Sequence, residues 1–217
     1  MAAVDSLRTH LVEELIDLRS AEEQLIEALP KMAKSATAKT LRTAFHKHLG
    51  ETRGHVTRLN QALRALGEKP ESKTCKAMQG LLKEGNSVMN KTPEGALRDV
   101  VMITAAQKVE HYEIATYGTV RTYARVIGES EVARLLEQTL KEEKAADVTL
   151  TKIAEGEVNE EAADEWQSQS ESLVELGTEW LNAATSGVTR TVRSAAKSAG
   201  LTSPARKRTK RSASKKR

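Results

Sequence analysis

The sequence predicts an all-α protein whose body is a bundle of four helices, arranged as two hairpins joined by one long crossover. Three observations predict it. Aromatic residues make up only 3% of the 217 positions, with Phe45 the single phenylalanine, so the core must be built from Leu, Ala, Val and Ile, as in helical bundles. Apolar residues recur at spacings of three, four and seven along four long stretches. The breaks between those stretches come in the order short, long, short, which makes each hairpin antiparallel and leaves one connection able to cross the bundle.

Helix A is expected from about Val4 to Lys34, carrying Leu11, Leu15, Leu18, Leu25 and Leu29, with Pro30 kinking its last turns. After "SATAK", Thr37 can cap helix B, which carries Leu41, Phe45, Leu59, Leu63 and Leu66 and stops at Gly67 and Pro70. The connector "ESKTCKAMQGLLKEGNSVMNK" has room for a short helix around Met78 to Leu82. "TPEGAL" then reads as a start signal, with Thr92 as cap, Pro93 in the first helical position and Glu94 near the positive end of the dipole. Helix C is expected to run to about Ile127, end at Gly128, and be followed by helix D from Glu131 to Ala154. Two hairpins with one crossover are the topology of the ferritin-like class.

Composition bounds the function. The chain is 39% apolar and 29% charged, which suits one globular domain of roughly 150 residues with appendages. Cys75 is the only cysteine, which excludes an internal disulfide framework and a zinc-finger site and fits a reducing compartment. "MAAVDSLRTH" lacks a cationic stretch followed by an apolar run, and nowhere are there about eighteen consecutive apolar residues. The expectation is a cytoplasmic protein with no transmembrane segment. The net charge of +4 conceals a division: from Thr189 to Arg217 there are eleven Lys and Arg and no acid, so the remaining 23 basic residues face 30 acidic ones. An acidic body bears a basic tail.

The inward stripes of all four helices carry the same anomaly. Helix A reads Leu15, Leu18, Glu22, Leu25; helix B reads Phe45, His48, Glu51, His55, Leu59; helix C reads Ala106, Glu110, Glu113, Tyr117; helix D reads Thr139, Glu143, Asp147, Leu150. In an antiparallel hairpin, residues equally far from the turn lie level, at about 1.5 Å per residue. With turns centred near 36 and 128, Glu22 and Glu51 fall level, as do Glu113 and Glu143. Carboxylates gathered in a low-dielectric interior lose hydration and repel one another, at several kcal/mol per ion. Bound divalent cations remove that cost.

The expected site is a dinuclear metal centre with Glu22, Glu51, Glu113 and Glu143 as central carboxylates and His48, Glu110 and Asp147 completing the shells. His55 ranks second, as a ligand or a supporting partner, and Tyr117 can hydrogen-bond a ligand. Carboxylates with imidazole suit two iron ions, or manganese or a mixed pair, better than a thiolate-seeking metal. His10, His46 and His111 read as surface residues. Glu14, Glu23 and Glu142 read as exposed helix-face charges, and Met32, Met78 and Met102 as core fillers.

The stretches "AEEQLIEALPKMAK", "FHKHLGET", "CKAMQGLLKEG", "ALRDVVMITAAQKVEHYEIATYGT" and "LLEQTLKEEKAAD" resemble the YciE/YciF family of ferritin-like, metal-binding stress-associated proteins. The resemblance covers residues 7 to 155 and implies a ferritin-like bundle, a di-iron-type centre and a homodimer. Glu22, His48, Glu51, Glu110, Glu113, Glu143 and Asp147 lie within the matching stretches. The Glu-x-x-His pairs of the wider superfamily are absent from helices B and D. Helix B offers His48 and Glu51 in the reverse order, and helix D offers Glu143 with Asp147, an oxygen-richer set.

The chain therefore divides into a bundle over 1–155, an acidic segment with an amphipathic helix over 156–200, and a Lys/Arg-rich tail over 201–217. "EGEVNEEAADEW" is a linker or helix start, and Leu173, Leu176, Trp180, Ala184, Val188 and Val192 form a helical stripe beyond it. "SPARKRTKRSASKKR" has no large apolar residue and is expected to be disordered when free. Arg206, Lys207, Arg208, Lys210, Arg211, Lys215, Lys216 and Arg217 can neutralise phosphates, which predicts salt-sensitive contact with a nucleic-acid backbone and association with the nucleoid. A solubility tail, or a tether to an acidic partner, is the alternative.

Overall fold

The computed structural model describes residues 6–70 and 73–198, with side chains up to residue 185. Four long helices form the bundle: α1 (Leu7–Ser35), α2 (Lys39–Ala65), α4 (Ala96–Val126) and α5 (Ser130–Ile153), with α3 (Lys76–Met89) inside the crossover. Helix α1 packs on α2, α2 on α5, α5 on α4 and α4 on α1, while α3 lies against α4 and α1. No strand occurs among the described residues.

Both glycine stops come from the chemistry of a left-handed residue. Gly67 and Gly128 have φ of 75° and 87°, which a residue without Cβ adopts at little cost. Around Gly128 the Glu129 amide donates to the Ala124 carbonyl at 2.8 Å and the Gly128 amide to Arg125 at 3.2 Å. Glu68 and Gly67 repeat the pattern onto Leu63 and Arg64. These paired bonds satisfy the last carbonyls of α2 and α4.

The helix starts differ from the sequence expectation. Thr37 does not cap α2. The buried carboxylate of Asp99, on α4, accepts from the Thr37 amide at 2.9 Å and the Ala38 amide at 2.6 Å. Thr92 does not open α4 either: its hydroxyl donates back to the Val88 carbonyl at 2.9 Å. Helix α4 begins after Gly95, whose φ is 134°, and the Ala96 amide donates to Glu165 at 3.1 Å. In both places an acid from a distant segment takes the free amides at the helix's positive end. Helix α1 runs through Pro30 without interruption, and α3 is longer than the Met78–Leu82 expectation, with Cys75 Sγ accepting from the Met78 amide at 3.4 Å.

After α5 a π-helical turn (Ala154–Val158) leads into α6 (Asn159–Ser198). The chain separates into two units, Met1–Trp166 and Gln167–Arg217. In the second, Leu173, Val174, Leu176, Trp180 and Leu181 are exposed; the side chains of Val188 and Val192 and the whole of the 201–217 tail lie outside the described residues. Among the described residues no helix is long and apolar enough to cross a membrane.

The bundle core is divided. One apolar cluster gathers Leu25, Leu29, Phe45, Met78, Met102 and Ile103; the other gathers Leu11, Leu15, Leu18, Leu59, Leu63 and Tyr117. Between them lies a buried polar layer of Glu22, His48, Thr52, His55, Glu110, Glu113 and Glu143.

Candidate metal centre

Each helix delivers its part of the layer from within its apolar stripe. Glu22 sits between Leu18 and Leu25 on α1, and Glu110 and Glu113 between Ala106 and Tyr117 on α4. On α5, Glu143 lies between Leu140 and Leu150. Glu22, Glu113 and Glu143 have no solvent exposure at all. Their donor atoms form two groups that share Glu143: His48, Glu110, Glu113 and Glu143 in one, and Glu22, His55 and Glu143 in the other, with donor atoms within 4.8 Å of one another in each.

The two groups differ in how far protein contacts satisfy them. His55 Nδ1 lies 3.2 Å from Glu22 Oε2 and 2.9 Å from Glu143 Oε1, but only the Glu22 contact has hydrogen-bond geometry. His55 Nε2 contacts Glu142 Oε2 at 3.0 Å, and Tyr117 donates its hydroxyl to Glu22 Oε1 at 2.5 Å. In the other group, His48 Nε2 is 3.4 Å from Glu110 and 3.7 Å from Glu143, without hydrogen-bond geometry. Both ring nitrogens of His48, both oxygens of Glu113 and of Glu143, and Oε2 of Glu110 are buried with no hydrogen-bond partner. Buried polar groups of this kind are rare in native proteins and costly to leave unmatched. Imidazole nitrogens and carboxylate oxygens converging without partners are the donor set of a hard or borderline divalent cation, so the residues fit a metal centre.

Electrostatics report the same conflict. Burial, then the neighbouring carboxylates, push Glu113 well above the usual carboxylate range. Burial likewise raises Glu110 and Glu143, although His48 and His55 respectively act against it. Burial pulls the His55 imidazolium down, but its contacts to Glu143 and Glu22 outweigh this and lift it to about 10. Tyr117 is pushed up by burial and by Glu22. Without cations, burial and mutual repulsion favour the protonated form of Glu110, Glu113 and Glu143.

Glu51 and Asp147 stand outside both groups. Helix geometry of 100° per residue puts Glu51 about 60° from His48, at the edge of the α2 stripe; Thr52 faces inward instead. The Glu51 side chain is 23% exposed, pairs with Lys47 and lies 3.6 Å from His48 Nδ1. His48, then Lys47, against some burial, hold its carboxyl down at about 2. Asp147 accepts from Gln107 at 3.1 Å and lies 3.4 Å from His111. His55, rather than Glu51, meets Glu22. The first turn occupies residues 36–38, so Thr52 lies opposite Glu22 and Glu51 is nearly level with it. Side chains lean toward their own helix's N-terminus, however, which carries His55 back toward Glu22 while Glu51 sits at the rim.

The sequence reading missed an outer layer. Glu142, expected as an exposed charge, bonds His55 and is held by Arg58, whose Nε donates to Thr139 at 2.8 Å. The available signal was Arg58 three residues after His55, on one helix face. The residues from Arg206 to Arg217 lie outside the described residues.

Comparison with known proteins agrees with this architecture. The family model described as a domain of unknown function (DUF892) matches residues 6–163. The chain is 44% identical over 163 residues to protein YciF of Escherichia coli (strain K12), covering 75% of this chain and 96% of that one. It is similar to the crystal structure of that E. coli stress protein, with a TM-score of 0.69 at 43% identity over 72% of this chain and 99% of the other. A ferritin-like, diiron-carboxylate protein structure from Bacillus anthracis str. Ames aligns with a TM-score of 0.54 at 16% identity, over 69% and 99% of the chains, a likeness of fold alone. A ferritin-like helical bundle with a divided core and these matches places the chain in the DUF892 family, among the relatives of YciF.

Proposed function

We propose that this is a ferritin-like, dinuclear metal-binding protein that oxidises Fe(II) or consumes peroxide in protection against stress. The observation that carries the reading is the set of partnerless buried donors on His48, Glu110, Glu113 and Glu143. The stress character named for YciF and the diiron-carboxylate character named for the B. anthracis protein support it. His48, Glu110 and Glu113 would hold one ion and Glu22 and His55 the other, with Glu143 common to both. Two iron ions, or manganese, would supply one-electron chemistry in a site shielded from bulk water. The chain's own residues then have defined tasks: Tyr117 orients Glu22, Glu142 and Arg58 orient His55, and the apolar clusters on either side exclude solvent. Glu51 and Asp147 belong to the proposal as carboxylates that can swing inward from the rim.

A second reading is a scaffolding or DNA-associated protein whose ions are structural, favoured by the complete enclosure of Glu22, Glu113 and Glu143. Anaerobic addition of Fe(II) followed by peroxide separates the two. Stoichiometric or catalytic consumption of peroxide supports redox function, and a rise in melting temperature without turnover supports the structural role. In either reading the protein is proposed to act as a cytoplasmic homodimer. The residues from Arg206 to Arg217 are proposed to contact a nucleic-acid backbone, bringing the protein to the nucleoid. A chain lacking residues 202–217 should lose salt-sensitive DNA retardation on a gel, and unchanged retardation would refute that part.

A further inference from the structure

An apolar cavity of about 60 Å³ reaches from the bundle surface to the edge of the polar layer. Its walls include Leu29 of α1, Phe45 of α2, Leu81 of α3 and Leu150 of α5, and its polar end is formed by His48, Glu51 with its partner Lys47, and Glu110. A water-sized group needs about 10–15 Å³, so the cavity holds about four to six heavy atoms. The polarity gradient restricts what those atoms are. Water and hydrogen peroxide gain little from leucine and phenylalanine walls, while a plain hydrocarbon leaves the polar end unmatched. An anionic head would meet the ionised Glu51, which already takes up the charge of the neighbouring Lys47.

We infer that this cavity binds a short aliphatic molecule with a neutral oxygen head group, the class that includes small alcohols and alkyl hydroperoxides. The aliphatic part lies among the leucines, and the head faces His48, Glu51 and Glu110. That such a ligand is the oxidant consumed at the centre rests on the proposed function; that it binds does not.

The cavity supplies its own reporters. Of the five methionines, Met32, Met89 and Met102 line it, and the fully buried Met78 does not. The test is methyl NMR of the full-length chain labelled at methionine, as purified and after chelation, titrated with 1-propanol, propionate and glycerol. Saturable shifts of Met32, Met89 and Met102 with 1-propanol are expected, half-complete in the millimolar range that four heavy atoms allow. Met78 should stay unmoved, and propionate and glycerol should bind at least about tenfold more weakly. Ala106→Leu fills the cavity from α4 and should weaken 1-propanol binding by about tenfold or more; Ala28→Leu, from the half-buried side of α1, does the same if the first variant fails to fold. Shifts that never saturate, that include Met78 equally, that propionate or glycerol reproduces, or that survive both fillings would overturn the proposal. Metal content of the same sample is scored separately: 1-propanol binding supports the cavity whether or not metal is present, while a chain that carries no ion as purified counts against the centre alone.

Discussion

At the residue scale, what matters is whether a buried donor has a partner. Glu22, Glu113 and Glu143 were legible because each interrupts an otherwise apolar stripe. Glu51 and His55 are both close to the right depth, but Glu51 lies about 60° from His48 around α2, and the lean of side chains toward a helix's N-terminus, which depth alone does not record, brings His55 to Glu22. Glu142 was not legible, since its partners His55 and Arg58 come from another helix; Arg58 carried only its spacing of three from His55. The proton count gives a pH prediction for the metal-free chain. Glu110, Glu113 and Glu143 hold protons above their ordinary value of 4.5 when folded, so folding takes up protons and stability falls as pH rises past 4.5. His55 adds to this in a higher window: its contribution is complete below 6.5 and is lost as pH rises through about 10. Glu51 acts oppositely, losing its contribution as pH falls from 4.5 toward about 2, though its exposure keeps that effect small. Urea melts of the chelated protein should show a maximum near about pH 5 and a steady decline to pH 9; stability rising over that range would contradict the assignment. For the same reason Glu113→Gln should stabilise the chelated protein at pH 8, on the order of 1–2 kcal/mol, while abolishing its gain from added metal.

At the element scale, helix ends separate what local chemistry dictates from what tertiary contacts supply. Gly67 and Gly128 stop their helices by their own conformation, so both ends were readable. The starts of α2 and α4 were misassigned to Thr37 and Thr92, because the amides are met by Asp99 and Glu165 from 61 and 69 residues away. Asp99 did carry a signal: it lies one turn before Ile103 on the buried stripe of α4. Asp99→Ala should destabilise the fold by about 2–3 kcal/mol, since two amides lose a charged acceptor inside the core. Asp99→Asn should recover part of the loss, and equilibrium denaturation measures both. An Asp99→Ala variant as stable as the parent would mean that the cap is not formed.

At the scale of the whole molecule, the two-hairpin bundle was readable because short and long breaks constrain topology strongly. The divided core followed from the same periodicity, since polar interruptions on every helix at a common depth produce a layer. The crossover helix α3 was underestimated: its contribution depends on packing against α4 and α1, which no local signal records. In the proposed reading the layer is the part of the core that a bound cation would stabilise most. Metal analysis of freshly purified full-length protein, beside Glu113→Ala and Glu143→Ala variants confirmed as folded, tests this most directly. About two equivalents of iron or manganese per chain are expected in the parent and little in either variant. A parent chain that retains no ion, and whose melting temperature does not respond to added Fe(II) or Mn(II), would contradict it.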